Sequence, residues 1–106
     1  MANVLINAPK RARKGEIVEL KALILHPMET GFRPGTNGRL IPRNIIERFV
    51  ATWNGVEIFR MEMSPAIAAN PFVAFSAVAT ESGTIVFRWI GDEGFAVEES
   101  VAIAVG

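Results

Sequence analysis

Hydrophobic and polar residues alternate along most of this chain, and an apolar period of two predicts β-strands. Between residues 16 and 25 apolar side chains occupy every second position, with Glu19 and Lys21 between them. Residues 84–89 repeat the alternation, and shorter apolar runs at 4–6, 72–79 and 97–105 are bounded by turn-forming residues. We therefore predict a chain made almost entirely of short strands.

Residues 45–53 fit two interpretations. Their apolar positions also suit one face of a helix, and Pro42 would stand near the start of such a helix. The segment leads into Asn54-Gly55 between apolar residues, and this dipeptide favours a two-residue β-hairpin turn because both of its positions accept positive φ. We favour the hairpin, with three expected cross-strand pairs: Trp53 with Val56, Ala51 with Ile58 and Val50 with Phe59.

About seven such strands, separated by turn signals, predict one all-β domain over residues 1–106. The expected fold is an immunoglobulin-like antiparallel β-sandwich that lacks the Cys…Trp…Cys signature of antibody domains. Trp53 and Trp89 are expected in the core between the sheets.

Residues 26–42 form a long insert between two predicted strands. Six prolines and glycines fall within it, and they disfavour both a helix and a central strand. Long connections are usually functional or disordered, and the apolar Met28, Phe32, Leu40 and Ile41 indicate an insert that packs against something. On the preceding strand, Leu23 and Leu25 lie on the outer face and also need cover. We therefore interpret the insert as a recognition surface.

Composition excludes several classes of function. The formal net charge is +0, which argues against nucleic-acid binding and against a polybasic membrane protein. No apolar run reaches the roughly 18–20 residues of a membrane span. With 0 cysteines the chain can form no disulfide and no thiolate metal site, and it cannot carry a substrate on a thiol. Its first residues lack the features of a secretory signal, so they favour the cytoplasm.

Few residues suggest chemistry. His26 is the only histidine and could bind a metal with Glu29, although hydrogen bonding to the backbone of the insert explains it better. The basic cluster from Lys10 to Lys14 is either an anion-binding patch or a solvated turn, and zero net charge favours the turn. Four acidic residues lack the alternation of a calcium loop: Asp92, Glu93, Glu98 and Glu99. The residues alone therefore indicate a partner-binding β-sandwich without catalytic, metal or cofactor sites.

Several motifs together resemble the SoxZ family, the small subunit of the SoxYZ carrier complex of bacterial thiosulfate oxidation. The most specific is His-Pro-Met-Glu-Thr-Gly at 26–31. The others are Ile41-Pro42-Arg43, Asn54-Gly55, Ala69-Asn70-Pro71-Phe72, Phe75, Ser82-Gly83 and the segment from Trp89 to Gly94.

The resemblance implies a non-catalytic subunit that pairs with SoxY, which holds sulfur intermediates on a cysteine. It further implies transient contact with sulfur-oxidising enzymes, and a location in the periplasm, reached by export with the partner. The isolated chain could form a homodimer. We expect nine residues at the partner contact: Leu23, Leu25, His26, Met28, Glu29, Gly31, Phe32, Asn70 and Phe72. The leucines, Met28 and the phenylalanines would supply apolar area, while His26 and Glu29 would orient the insert.

Two alternatives stay open at this point. The first is a sandwich domain that binds a different protein or a small sulfur oxyanion directly. The second is a metal-dependent enzyme that uses His26 and Glu29.

Overall fold

The computed structural model describes residues 3–106, which form eight β-strands and a single 3-10 turn at Asp92–Gly94. The alternation of apolar residues predicted most of these strands correctly. Their bounds are β1 Val4–Asn7, β2 Arg11–Ala12, β3 Ile17–Ile24, β4 Ile46–Trp53, β5 Val56–Glu62, β6 Phe72–Val78, β7 Gly83–Gly91 and β8 Ala96–Val105.

The strands form two sheets that pack face to face. One sheet has three strands in the order β1-β3-β6, and the other has five in the order β2-β8-β7-β4-β5. This arrangement confirms the all-β, immunoglobulin-like sandwich, with one strand more than the approximate count of seven. The expectation of wholly antiparallel pairing is corrected at one place, because β2 pairs with β8 in parallel.

The parallel pair arises because the N-terminal segment changes sheets. β1 pairs with β3 in the three-stranded sheet, whereas β2 pairs with β8 in the five-stranded sheet. Pro9 lies between them and donates no backbone hydrogen bond, as suits a break between two strands. Within β8, β2 pairs only with Ala104 and Val105, so the rest of β8 is paired on one side alone, by β7.

Aromatic side chains fill the space between the sheets. The ring of Phe49 on β4 lies 5.1 Å from that of Trp89 and 6.1 Å from that of Phe75, which belongs to the opposite sheet. Phe75 also stacks on Phe59 with ring centroids 4.5 Å apart. Trp53 and Trp89 are both buried, as the sequence predicts.

The hairpin β4–β5 confirms the predicted Asn-Gly turn but corrects its register. Trp53 pairs with Val56 as expected. Beyond that pair the register shifts, so that Ala51 lies opposite Phe59 instead of Ile58. A β-bulge places one extra residue on one strand and cannot be read from the turn sequence. The expected pair of Val50 with Phe59 is therefore also wrong, and Val50 pairs with Arg60.

Within residues 3–106 we find no helix whose length and apolar character would suit a membrane crossing.

Candidate partner-binding surface

His26 is buried at the start of the insert, with 5% of its surface exposed. Its Nδ1 atom accepts a hydrogen bond from the backbone N–H of Met28 at 2.9 Å. Asn70 holds the same point from the other side: its Oδ1 accepts from the His26 backbone N–H at 2.9 Å, and its own N–H donates to the His26 carbonyl at 2.8 Å. His26 and Asn70 thus join the insert to the segment that precedes β6.

The surroundings of His26 favour its neutral form. Its ring meets the ring of Phe95 edge to face, with centroids 4.8 Å apart. Burial removes solvent from the imidazole and lowers the pKa of His26 below its ordinary value of 6.5, against smaller opposing effects of the Asn44 side chain and the Asp92 charge. An Nδ1 atom that already accepts from the backbone is not free to bind a metal. Across residues 3–106, no group of three or more histidine or acidic side chains is placed to hold an ion.

Met28 corrects one part of the predicted contact. It was expected to supply apolar area to a partner, but only 4% of its surface is exposed. Met28 adopts a φ of 50°, and its Sδ atom accepts a hydrogen bond from the Ile46 backbone N–H at 3.2 Å. The positive φ turns its side chain into the core, so Met28 anchors the insert rather than facing outward.

Backbone pairing and ion pairs hold the remainder of the insert. Glu29 and Asn44 exchange two backbone hydrogen bonds of 2.8 Å, and the Glu29 carboxylate accepts from Arg33 at 2.6 Å. Gly31 has a φ of 89°, and a Cβ atom there would approach the Cβ of Arg43 to 3.0 Å. Glycine therefore suits this position both conformationally and sterically.

The acidic turn fixes the other end of the insert. Asp92 accepts from the Arg43 guanidinium at 2.8 Å and from the Ile45 backbone N–H at 3.1 Å. The hydrogen bond from Arg43 is the main cause that lowers the pKa of Asp92. Asp92 therefore acts as a structural anchor for the insert.

An exposed apolar patch crosses the outer face of the three-stranded sheet. In the strand register Leu5 lies directly opposite Leu23, and Leu23 lies directly opposite Phe72, so the three side chains form one row across β1, β3 and β6. Leu5 is 69% exposed and Phe72 is 60% exposed. Leu25, also exposed, lies just beyond the end of β3. We call Leu5, Leu23, Leu25 and Phe72 the apolar patch.

The insert adds a second exposed apolar group. Phe32 is 77% exposed, and Leu40 also projects from the insert into solvent. Not all apolar side chains of the insert therefore pack against its own sandwich. Met28 is buried, whereas Phe32 and Leu40 are available for contact.

The outer face of the five-stranded sheet has a different character. Ion pairs run across it, with Arg88 and Glu98 at 2.6 Å and Arg48 and Glu62 at 2.9 Å. Arg60 on the same sheet pairs with Glu57 at 2.9 Å. Such a face is well solvated and needs no cover. The two outer faces thus differ, and the apolar patch is on the smaller sheet.

Leu5 was not among the residues predicted for the partner contact. In the sequence Leu5 stands between Val4 and Ile6. In the structure these two pack toward the core and Leu5 points outward. The sequence does not show that β1 pairs with β3, and this pairing brings Leu5 beside Leu23. The other predicted surface residues Leu23, Leu25 and Phe72 do lie together, and Asn70 supports the insert through hydrogen bonds.

The fold and the apolar patch place the chain in one class of protein, the immunoglobulin-like β-sandwiches with an uncovered apolar face. The family follows from the sequence, because the model of the family "Sulphur oxidation protein SoxZ" matches residues 6–102. The chain belongs to the SoxZ family, and this makes it a component of sulfur oxidation. Comparison with curated protein sequences finds no relative.

Several solved structures share the fold. A superoxide reductase (neelaredoxin) from Ignicoccus hospitalis has a TM-score of 0.73 at 18% identity, over 97% of this chain and 80% of that chain. The sulfur carrier protein SoxY from Chlorobium limicola f thiosulfatophilum has a TM-score of 0.69 at 12% identity, over 97% and 78%. A CARDB domain from Pyrococcus furiosus has a TM-score of 0.57 at 13% identity, over 100% and 94%. At these identities the likeness shows the fold alone.

Replacement by serine should affect the stability of the chain strongly at Met28 and hardly at Phe32. Met28→Ser removes a buried side chain and should lower the free energy of unfolding by about 2–5 kcal/mol. Phe32→Ser changes an exposed side chain and should alter it by no more than about 0.5 kcal/mol. Urea unfolding of both variants measures this, and equal effects would show that the insert packs differently from the structure described.

The stability of the chain should depend on the protonation of His26. Because burial lowers its folded-state pKa, the unfolded chain binds the proton first as the pH falls below about 6.5. The free energy of unfolding should therefore decrease between about pH 7 and pH 5.5, above the range in which carboxylates titrate. His26→Asn keeps an acceptor near Nδ1 and should lose this component. Thermal unfolding across that range checks it; identical pH profiles for both proteins would contradict it.

Proposed function

We propose that this chain is the non-catalytic subunit of a SoxYZ sulfur-carrier complex, and that it binds SoxY through the apolar patch. The observation that carries the proposal is the row of Leu5, Leu23 and Phe72 on a chain of the SoxZ family. The side chains of such a row, left in water, are a typical mark of a protein interface.

The free energy gained by burying apolar side chains favours a partner that covers this face. Full burial of one leucine or phenylalanine side chain contributes roughly 1.5–3 kcal/mol, and three or four such groups lie close together here. The two outer residues of the row, Leu5 and Phe72, are mostly exposed, so most of this gain is still available to a partner. A few side chains, with aromatic ones prominent among them, carry most of the binding energy of typical interfaces. Phe72 is therefore the best candidate for an anchor.

The insert extends the proposed surface. His26, Met28 and Asn70 fix its base through hydrogen bonds, so Phe32 is presented by a segment that is already ordered. An ordered binding segment costs less conformational entropy when the partner docks. In this proposal His26, Glu29, Gly31 and Asn70 act by positioning the insert, and Phe32 and the apolar patch make the contact.

The division of chemistry between the subunits agrees with the composition of this chain. It has 0 cysteines, so a covalently held sulfur intermediate must reside on the partner. The only histidine is buried and engaged with the backbone. The proposed role is therefore to hold the carrier subunit and to present it, through transient contacts, to sulfur-oxidising enzymes.

Two further parts of the proposal concern the state of the chain. Without SoxY, two copies would cover the apolar patch by pairing through it, which gives a homodimer that SoxY displaces. The proposed location is the periplasm, reached by export together with SoxY, as the family resemblance implies. Cell fractionation with and without SoxY tests the location, and recovery in the cytoplasm in both cases would reject it.

Replacement of Leu23 and Phe72 by threonine should weaken SoxY binding while leaving the fold intact. Threonine suits a strand position that is exposed, as at Phe72, or partly exposed, as at Leu23, but it removes the apolar contact. Two truncated central contacts should lower affinity by about 10–100-fold. Calorimetric titration with SoxY from the same organism measures the affinity, and thermal unfolding of the variant alone measures the stability.

Val56→Thr provides the matched control, since Val56 is an exposed apolar strand residue on β5 of the other sheet. It should bind SoxY like the unchanged chain. Equal loss of affinity in the control and the double variant would show that the apolar patch is not part of the interface. If the unchanged chain bound thiosulfate or sulfite with a saturable heat and did not bind SoxY, direct recognition of a sulfur oxyanion would replace the proposal.

A further inference from the structure

β8 presents an unpaired backbone edge over most of its length. The N–H groups of Ala104 and Gly106 donate to the carbonyls of Lys10 and Ala12 at 2.9 and 3.1 Å, which shows that even-numbered amides point away from β7. Amides of a strand alternate in direction, so those of Glu98, Ser100 and Ala102 point the same way. β2 ends the pairing at Ala104, and these three amides therefore face the open side of the sandwich.

An open groove of about 660 Å³ runs beside this edge. Four consecutive residues of β8, from Val101 to Ala104, line it, although successive side chains of a strand point to opposite faces. The groove must therefore lie alongside the strand and not over one of its faces. Ile6 and Ala8 of the N-terminal segment also line it, together with Ser82.

The groove is mostly apolar but carries a basic residue at one end. Lys10 lines it, and Arg11, Arg13 and Lys14 follow directly in the sequence. Within residues 3–106 none of these four side chains forms an ion pair. The sequence favours a solvated turn for this basic cluster, and in the structure the groove adjoins it at Lys10.

The other end of the same edge carries an acidic residue. Glu99 lies opposite Phe87 on the core-facing side of β8, yet it is exposed because no strand covers the edge there. It lines a smaller pocket with Leu5, Leu23 and Leu25 of the apolar patch. In the described part of the chain Glu99 forms no ion pair. The edge thus joins the apolar patch at its acidic end and reaches the basic cluster at its other end.

We propose that SoxY contributes an extended segment that adds to the free edge of β8 as a further strand. Backbone hydrogen bonds to Glu98, Ser100 and Ala102 supply the pairing, and alternate apolar side chains enter the groove toward Ile6 and Val101. The charges set its direction: an acidic group of the segment lies near Lys10 and a basic group lies near Glu99. This inference rests on the proposed function and deepens it.

The length of the edge supports β8 over its neighbour as the acceptor. β1 also has a free edge on this side, but it spans only Val4–Asn7. β8 spans Ala96–Val105 and is covered by β2 at two residues alone. The edge of β8 meets the apolar patch at Glu99, which shares a pocket with Leu5, Leu23 and Leu25, so one partner can occupy the edge and the patch at once.

Replacement of Ala102 by proline tests the strand addition. Proline removes an amide that has no partner in the isolated chain, and the preceding residue is already extended. Ala102→Pro should weaken SoxY binding about tenfold or more, whereas Ala102→Ser retains the amide and should bind like the unchanged chain. Lys10→Glu and Glu99→Lys should each lower affinity, and less so at high salt.

Hydrogen exchange of the unchanged chain provides a readout that does not depend on a variant folding. Addition of SoxY should slow the exchange of the Glu98, Ser100 and Ala102 amides. If SoxY binds but these amides exchange at their former rate, strand addition is rejected and the apolar patch alone carries the complex. If SoxY does not bind the unchanged chain at all, the proposed function itself fails. Equal affinities of the proline and serine variants would also overturn the inference.

Discussion

The contact between the two sheets through the ring of Phe49 is the constraint on which the rest of the structure depends. A sandwich without cysteines has no disulfide to join its layers, so packing alone must do so. Phe49 contacts Trp89 within its own sheet and Phe75 in the opposite sheet, and Phe75 stacks on Phe59. Such aromatic pairs contribute about 0.5–1.5 kcal/mol each beyond their buried area. This packing joins the two sheets independently of the insert, which is part of the surface proposed for binding.

The structure also shows why one edge of the sandwich stays unpaired. The N-terminal segment divides its pairing between the sheets, with β1 on one and β2 on the other. Neither sheet gains a full-length edge strand from it, and β8 keeps a free edge next to the apolar patch. The five-stranded sheet is instead covered by ion pairs on its outer face. Similar folds in a superoxide reductase and in a sulfur carrier protein show that the architecture alone does not determine chemistry.

Local patterns in the sequence predicted most of the fold, because alternation and turn chemistry act over a few residues. The period of two identified β3 and β7, and Asn54-Gly55 identified the hairpin. Features that depend on distant pairing could not be predicted in this way. The parallel pair of β2 and β8, the bulge in β5 and the position of Leu5 beside Leu23 each depend on which strands meet. Met28 was misplaced because its direction follows from a positive φ, which is rare for such a residue.

Asn54 has a consequence for the ageing of the molecule. Its Nδ2 atom donates to the Glu81 carboxylate and to the Ser82 carbonyl, both at 3.1 Å, and its Oδ1 atom accepts from the Thr84 N–H at 2.9 Å. Asparagine before glycine is chemically labile, and deamidation would turn that donor into a second negative oxygen beside Glu81. Two hydrogen bonds would then become repulsive contacts. The side chain of Asn54 connects the β4–β5 hairpin to the turn before β7. Its deamidation would therefore weaken this end of the sandwich as the protein ages.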